Sequence, residues 1–110
     1  MTPEQARRAL GLVGLGIRSR NAVVGVEQVR AAAKRGTLVL ALVAADAAAN
    51  SLDKLLPLLR ARRVQVVEGL TTDQLGTVAG RNQTAAIGII DRSLANGILG
   101  AVESGSTGPS

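Results

Sequence analysis

Leu38-Val39-Leu40-Ala41-Leu42-Val43-Ala44 is apolar at all seven positions. A strand with one wet face alternates apolar and polar residues, and this run does not. It predicts a strand buried on both faces, as at the centre of a sheet with helices above and below. Immediately before it, Val26, Val29, Ala32 and Ala33 recur at helical spacing between Gly25 and Arg35, with Gly36 placed as a C-cap. Further back, Asn21-Ala22-Val23-Val24 reads as a short strand closed by Gly25. Thr2-Pro3-Glu4 reads as a helix start, followed by Ala6, Ala9, Leu10 and Val13 at helical spacing. The pair of glycines in Gly14-Leu15-Gly16 is expected to end that first helix.

On the C-terminal side, residues Asp46 to Asn50 read as a turn, and Leu52, Leu55, Leu56 and Leu59 then mark an amphipathic helix. Pro57 lies inside this helix and is expected to kink it or move its effective start. The basic run Arg60-Ala61-Arg62-Arg63 suits the helix C-terminus, and Val64 to Glu68 follows as a third strand. Thr71 and Gln74 have the spacing of a capping box, and Leu70 is placed to staple onto Leu75 in a helix that Gly80 ends. Thr84 to Ile90 is the fourth strand, and Asp91 caps a last helix through Leu94 and Ile98. Helices and strands thus alternate from end to end, which predicts an α/β fold, a three-layer α/β/α sandwich. Residues 1–102 form one domain, and 103–110 read as a disordered tail.

The chain has 110 residues, enough for a single core. It contains no Phe, Tyr or Trp, so Leu, Val, Ile and Ala fill that core and no ring is present to stack on unpaired bases. It also contains no Cys and no His, which removes disulfides, thiol chemistry, the usual metal ligands and the commonest general base. Asp46, Glu68 and Asp91 each follow a predicted strand, where α/β enzymes often place acids, but all three also suit caps and turns, and that reading is preferred. Gly14-Leu15-Gly16 lacks the third glycine and the preceding strand of a dinucleotide loop. No enzyme activity, cofactor, metal or small-molecule substrate is therefore expected. Arg7-Arg8 and the apolar residues 9–17 resemble a signal peptide, but the run is too short to span a membrane and ends in Arg18-Ser19-Arg20. The chain is read as cytoplasmic, with no membrane partner.

Thirteen Lys and Arg face eight Asp and Glu, a net charge of +5, and eleven of the cations are Arg. Arg offers a flat fork of donors that fits phosphate, so nucleic acid is one reading of this excess, and the codon preference of a GC-rich genome is another. Gly25-Val26-Glu27-Gln28 opens a helix directly after a strand, where free N–H groups attract anions. Arg18, Arg20, Arg30, Lys34 and Arg35 lie before or along it. By itself this segment fits a phosphate surface and a solvated helix equally. Arg81-Asn82-Gln83-Thr84 is a polar loop whose side chains suit base edges and phosphates, and equally an ordinary surface turn.

Four stretches in order carry a resemblance. They are Gly25-Val26-Glu27-Gln28-Val29; Arg35-Gly36 with the apolar strand ending in Ala44-Ala45-Asp46; Leu75-Gly76-Thr77-Val78-Ala79-Gly80; and Ile87-Gly88-Ile89-Ile90-Asp91-Arg92-Ser93-Leu94-Ala95. From about Gly11 to Ile98 the sequence resembles the L7Ae/L30e family of ribosomal RNA-binding proteins, and within it the bacterial YlxQ-like branch. The resemblance implies a four-stranded mixed sheet between helices and binding to a sharply bent RNA, a kink-turn or ribosomal element. It places the RNA surface at Gly25, Glu27 and Gln28 with the Arg81–Thr84 loop, the same segments that residue chemistry singles out. Where kink-turn binders carry Asn, Glu and, one turn on, Lys, this sequence has Glu27, Gln28 and Ala31, which favours a broader structured-RNA role. In that reading Arg18, Arg20, Arg30, Lys34, Arg35 and Arg81 contact phosphates, and Gln28, Asn82 and Gln83 contact base edges near the bend. The protein is expected as a monomer or weak dimer. A protein-interaction module without direct RNA binding is the alternative.

Overall fold

A computed structural model describes residues 1–103. The expected tail therefore lies outside the described residues except for Glu103, which is the last residue of the final helix. The elements run α1 (Pro3–Arg18), β1 (Ala22–Val24), α2 (Val26–Arg35), β2 (Leu40–Val43), α3 (Ala49–Ala61), β3 (Gln65–Val67), α4 (Thr72–Ala79), β4 (Ala86–Ile89) and α5 (Arg92–Glu103). The strands form one mixed sheet in the order β1-β4-β2-β3. β2 and β3 are parallel, and β4 runs antiparallel to both β1 and β2.

The uniformly apolar run forms β2, and all four of its residues are buried. Successive side chains of a strand point to opposite faces, and here each face has its own core. Leu40 and Leu42 join Ile87 and Ile89 beneath α1, α4 and α5, through Val13, Leu75 and Ile98. Ala41, Val43 and Ala86 pack beneath α2 and α3, with Val29, Leu55 and Leu59. This is the α/β/α sandwich with a four-stranded mixed sheet. Gly88, inside β4, faces the second core. A Cβ there would run into the Leu38 side chain and lie 3.0 Å from Val23 and 3.3 Å from Val29, so glycine is what lets these side chains close over the strand beneath α2.

The expected end of the first helix is corrected. α1 continues through Gly14 and Gly16 to Arg18 and is capped at Ser19. A Cβ on Gly14 would sit 3.2 Å from Val78 of α4, and one on Gly16 would run into the Leu94 side chain of α5. The two glycines are close-approach points between helices. Tertiary packing outweighs their intrinsic cost of about 1 kcal/mol each in a helix. Pro57 does not move the start of α3, which begins at Ala49 and runs on through the proline to Ala61. Asn50 accordingly lies in α3, and the turn after β2 is confined to residues 45 and 46.

The predicted capping box and the Gly80 stop of α4 are present. Thr71 Oγ1 accepts from Gln74 N at 3.1 Å, Gln74 Oε1 accepts from Thr71 N at 2.9 Å, and Gly80 ends the helix in the left-handed conformation. Asp91 accepts from Leu94 N at 2.8 Å and so caps α5 as expected.

The register defines two ends. Ala22, Ile89, Leu40 and Gln65 form one row across the sheet, and Val24, Ile87, Leu42 and Val67 form another. α2 and α3 both start beyond the second row and finish beyond the first, because each returns the chain from the end of one strand to the start of the next.

Candidate nucleic-acid interface

β1 ends at Val24, opposite Ile87, so Gly25 and the loop before β4 emerge at the same end of the sheet. Gly25 N donates to Ala86 O at 2.9 Å and ties the two segments together. Gly25 has φ +98°, a conformation open to glycine at little cost, and it leaves the start of α2 without a side-chain cap. The first N–H groups of α2 thus face outward with the positive end of the helix dipole. Arg81 reaches over this point: its Nη1 is 3.8 Å from where a Cβ on Gly25 would lie. The two segments singled out in the sequence form one surface, with an arginine laid across a helix start.

The loop itself is held from below. A Cβ on Gly76 would collide with the backbone carbonyl of Asn82, so only glycine allows the loop to seat on α4. Arg81 N donates to Gly76 O at 2.8 Å and Thr84 N to Thr72 O at 3.1 Å. Thr72 is in turn fixed by Asp46, which accepts from its backbone N–H at 2.8 Å and from its hydroxyl at 3.0 Å. Those two hydrogen bonds favour the carboxylate and hold the Asp46 pKa below its ordinary value of 3.8, the backbone N–H contributing most. Asp46 is therefore the anchor of the loop. In the sequence Gly76 stands only within a resemblance, which does not mark it as the seat of the loop. A glycine in the middle of a good helix was the available signal.

The proposed contact residues differ in placement. Glu27 and Gln28 are exposed on the first turn of α2, and Asn82 is exposed in the loop. Arg30 pairs with Glu27 at 3.3 Å, while its Nε is buried without a partner. Gln83 donates to Asp73 at 3.2 Å, which turns its amide toward α4. Thr84 is buried, and its hydroxyl has no partner. Arg18 folds back along α1, with Nη1 3.5 Å from the Cβ position of Gly14, beside Val78 of α4. Arg20, Lys34 and Arg35 are not brought to this surface. Arg20 precedes β1, and Lys34 and Arg35 finish α2, so all three lie at the opposite end of the sheet.

Residues 9–97 match the model of the ribosomal protein L7Ae/L30e/S12e/Gadd45 family. The chain belongs to this family. Among solved structures, it is similar to a protein of unknown function from Bacillus halodurans, with 26% identity, a TM-score of 0.79, and coverage of 87% of this chain and 97% of that one. It also shares its fold with the Giardia lamblia 15.5kD RNA binding protein, at 21% identity and a TM-score of 0.74, covering 94% of this chain and 89% of that one. A comparison with curated proteins finds no match. No helix among the described residues is long and apolar enough to cross a membrane, and none of their acidic side chains cluster as a metal site would require.

Proposed function

We propose that this protein binds structured RNA, without catalysis, at the surface formed by the start of α2 and the Arg81–Thr84 loop. The observation that carries the reading is the Arg81 guanidinium standing over the uncapped first turn of α2. A cation and the free backbone donors of a helix start come together there, the combination that binds a phosphate. Exposed Gln28 and Asn82 flank it with amides that suit base edges. Membership in a ribosomal-protein family and the fold shared with an RNA-binding protein support the same reading. The finer version is a cytoplasmic, YlxQ-like, ribosome-associated protein whose RNA is bent like a kink-turn. Glu27 and Ala31 weaken phosphate contact on the α2 side and shift weight to Arg81.

The test is titration of a bent internal-loop RNA at several salt concentrations. Arg81→Ala should weaken binding and lower the log–log salt slope by about 1, the loss of one phosphate contact. An unchanged slope would remove Arg81 from the interface. Crosslinking in cells with sequencing of bound RNA would name the target.

One feature favours a protein-interaction role instead. Leu10, Gly11, Thr77 and Val78 line an apolar groove of about 440 Å³ between α1 and α4, and Leu15 is 51% exposed nearby on α1. Association through that face should survive ~0.5 M salt, at which a phosphate-based complex largely dissociates.

A further inference from the structure

We infer that the protein carries a second nucleic-acid surface at the opposite end of the sheet, which grips the phosphate backbone of a separate RNA duplex. Beyond the row Ala22, Ile89, Leu40 and Gln65 emerge Arg20, the end of α2 with Lys34 and Arg35, the end of α3 with Arg60, Arg62 and Arg63, and the start of α5 with Arg92. All seven cations are exposed, and among the described residues none makes a salt bridge; the ion pairs Arg8–Glu4 and Arg30–Glu27 lie elsewhere. Asp91, occupied in capping α5, is the one carboxylate among these segments. Seven cations against one carboxylate give this end a net charge of +6. The other six cations and seven carboxylates of the chain net −1. The whole positive excess of the protein is thus located away from the Gly25–Arg81 surface.

Complementing helix C-termini does not account for this charge. α1, α2 and α3 end here, and each C-terminus carries only about half a negative charge, far less than +6 in total. The backbone gives a second indication. Among the described residues, the two non-glycines with left-handed φ are Arg20, at +64°, and Arg63, at +56°. Gly or Asn would sit there with less strain, yet both positions hold arginine at this end of the molecule.

The chemistry favours a duplex backbone over other anions. Six of the seven cations are Arg, whose forked donors match phosphate oxygens. The intervening Ser19, Gly36, Thr37, Ala61 and Ser93 are small, so the surface offers no ring for stacking on bases and no large apolar side chain for insertion into lipid. Phosphate contacts of this kind bind without reading sequence. α2 separates the two surfaces by about 15 Å along its axis, and they face away from each other. One RNA segment seated at Gly25 therefore leaves this end free for another, and the protein would act as a bridge.

The test uses the full chain and a plain RNA duplex with no internal loop, beside the bent RNA. Arg60→Gln, Arg62→Gln, Arg63→Asn and Arg92→Gln are combined, with Asn chosen because it tolerates the left-handed backbone. Duplex affinity at ~0.1 M salt should fall on the order of tenfold or more, and the salt slope by about 3. Binding of bent RNA should change little, whereas Arg81→Ala should show the reverse pattern. On wild-type protein, the duplex should protect Arg60, Arg62 and Arg63 from phenylglyoxal, a readout independent of how well the variant folds. Immobilised bent RNA carrying wild-type protein should also capture a labelled duplex, and the combined variant should not. Failure to bind bent RNA with duplex binding intact would refute the proposed function and leave this surface standing. Unchanged duplex affinity, absent protection, or binding of phosphatidylglycerol vesicles in place of duplex would overturn the inference.

Discussion

At the Gly25 end of the sheet, donors converge on one point while charges of both signs surround it: Arg30 and Arg81 stand among Glu27, Asp46 and Asp73. At the other end, seven cations stand with one carboxylate, which is occupied in capping α5. The first end is built for geometry, because its loop is fixed by Gly76, Thr72 and Asp46. The second carries its charge on exposed side chains of helix ends and short connections. If both proposed surfaces bind RNA, shape selectivity and salt-sensitive affinity belong to different parts of one small domain.

The sharpest way to break this contrast is Gly76→Val. The added side chain meets the Asn82 carbonyl, so the loop must leave α4 or the helix must shift. We expect a loss of about 1–3 kcal/mol in denaturant unfolding and loss of bent-RNA binding, with duplex binding retained by the folded fraction. Equal loss of both would mean that the two ends are not independent.

A smaller effect is expected from acid. Because hydrogen bonds hold the Asp46 pKa below 3.8, its contribution to stability is complete above that value and disappears as the pH falls through the lowered pKa. Asp46→Asn should therefore be less stable than wild type at neutral pH, and the gap should narrow in urea melts below pH 3.8. A gap that stayed constant with pH would show that charge at Asp46 is not what holds Thr72.

The smallest change is expected from Gly100→Ala on α5. Nothing lies within 4 Å of the added Cβ, so the substitution should stabilise by about 0.4–1 kcal/mol and leave both RNA activities untouched.

Local chemistry made much of this legible. The capping box at Thr71 and Gln74, the Asp91 cap, the Gly36 and Gly80 stops and the doubly buried β2 all follow from interactions within a few residues or from a hydropathy period. The glycines of α1 misled because their reason is a contact across the fold, with Val78 and Leu94, which no local pattern encodes. The cations before and along α2 read in the sequence as one group with the Gly25 segment, but the topology sends Arg20, Lys34 and Arg35 to the opposite end of the sheet.

By itself the sequence determined the alternation of elements, the sandwich, the caps and the two polar segments, since each depends on spacing along the chain. Only the tertiary structure decided which segments meet. Strand order β1-β4-β2-β3 brings Arg81 over Gly25 and sends Arg20, Lys34, Arg35, Arg60, Arg62, Arg63 and Arg92 to the far end. That choice rests on the pairing of strands distant in sequence and on side-chain packing across two cores, which composition and periodicity leave open.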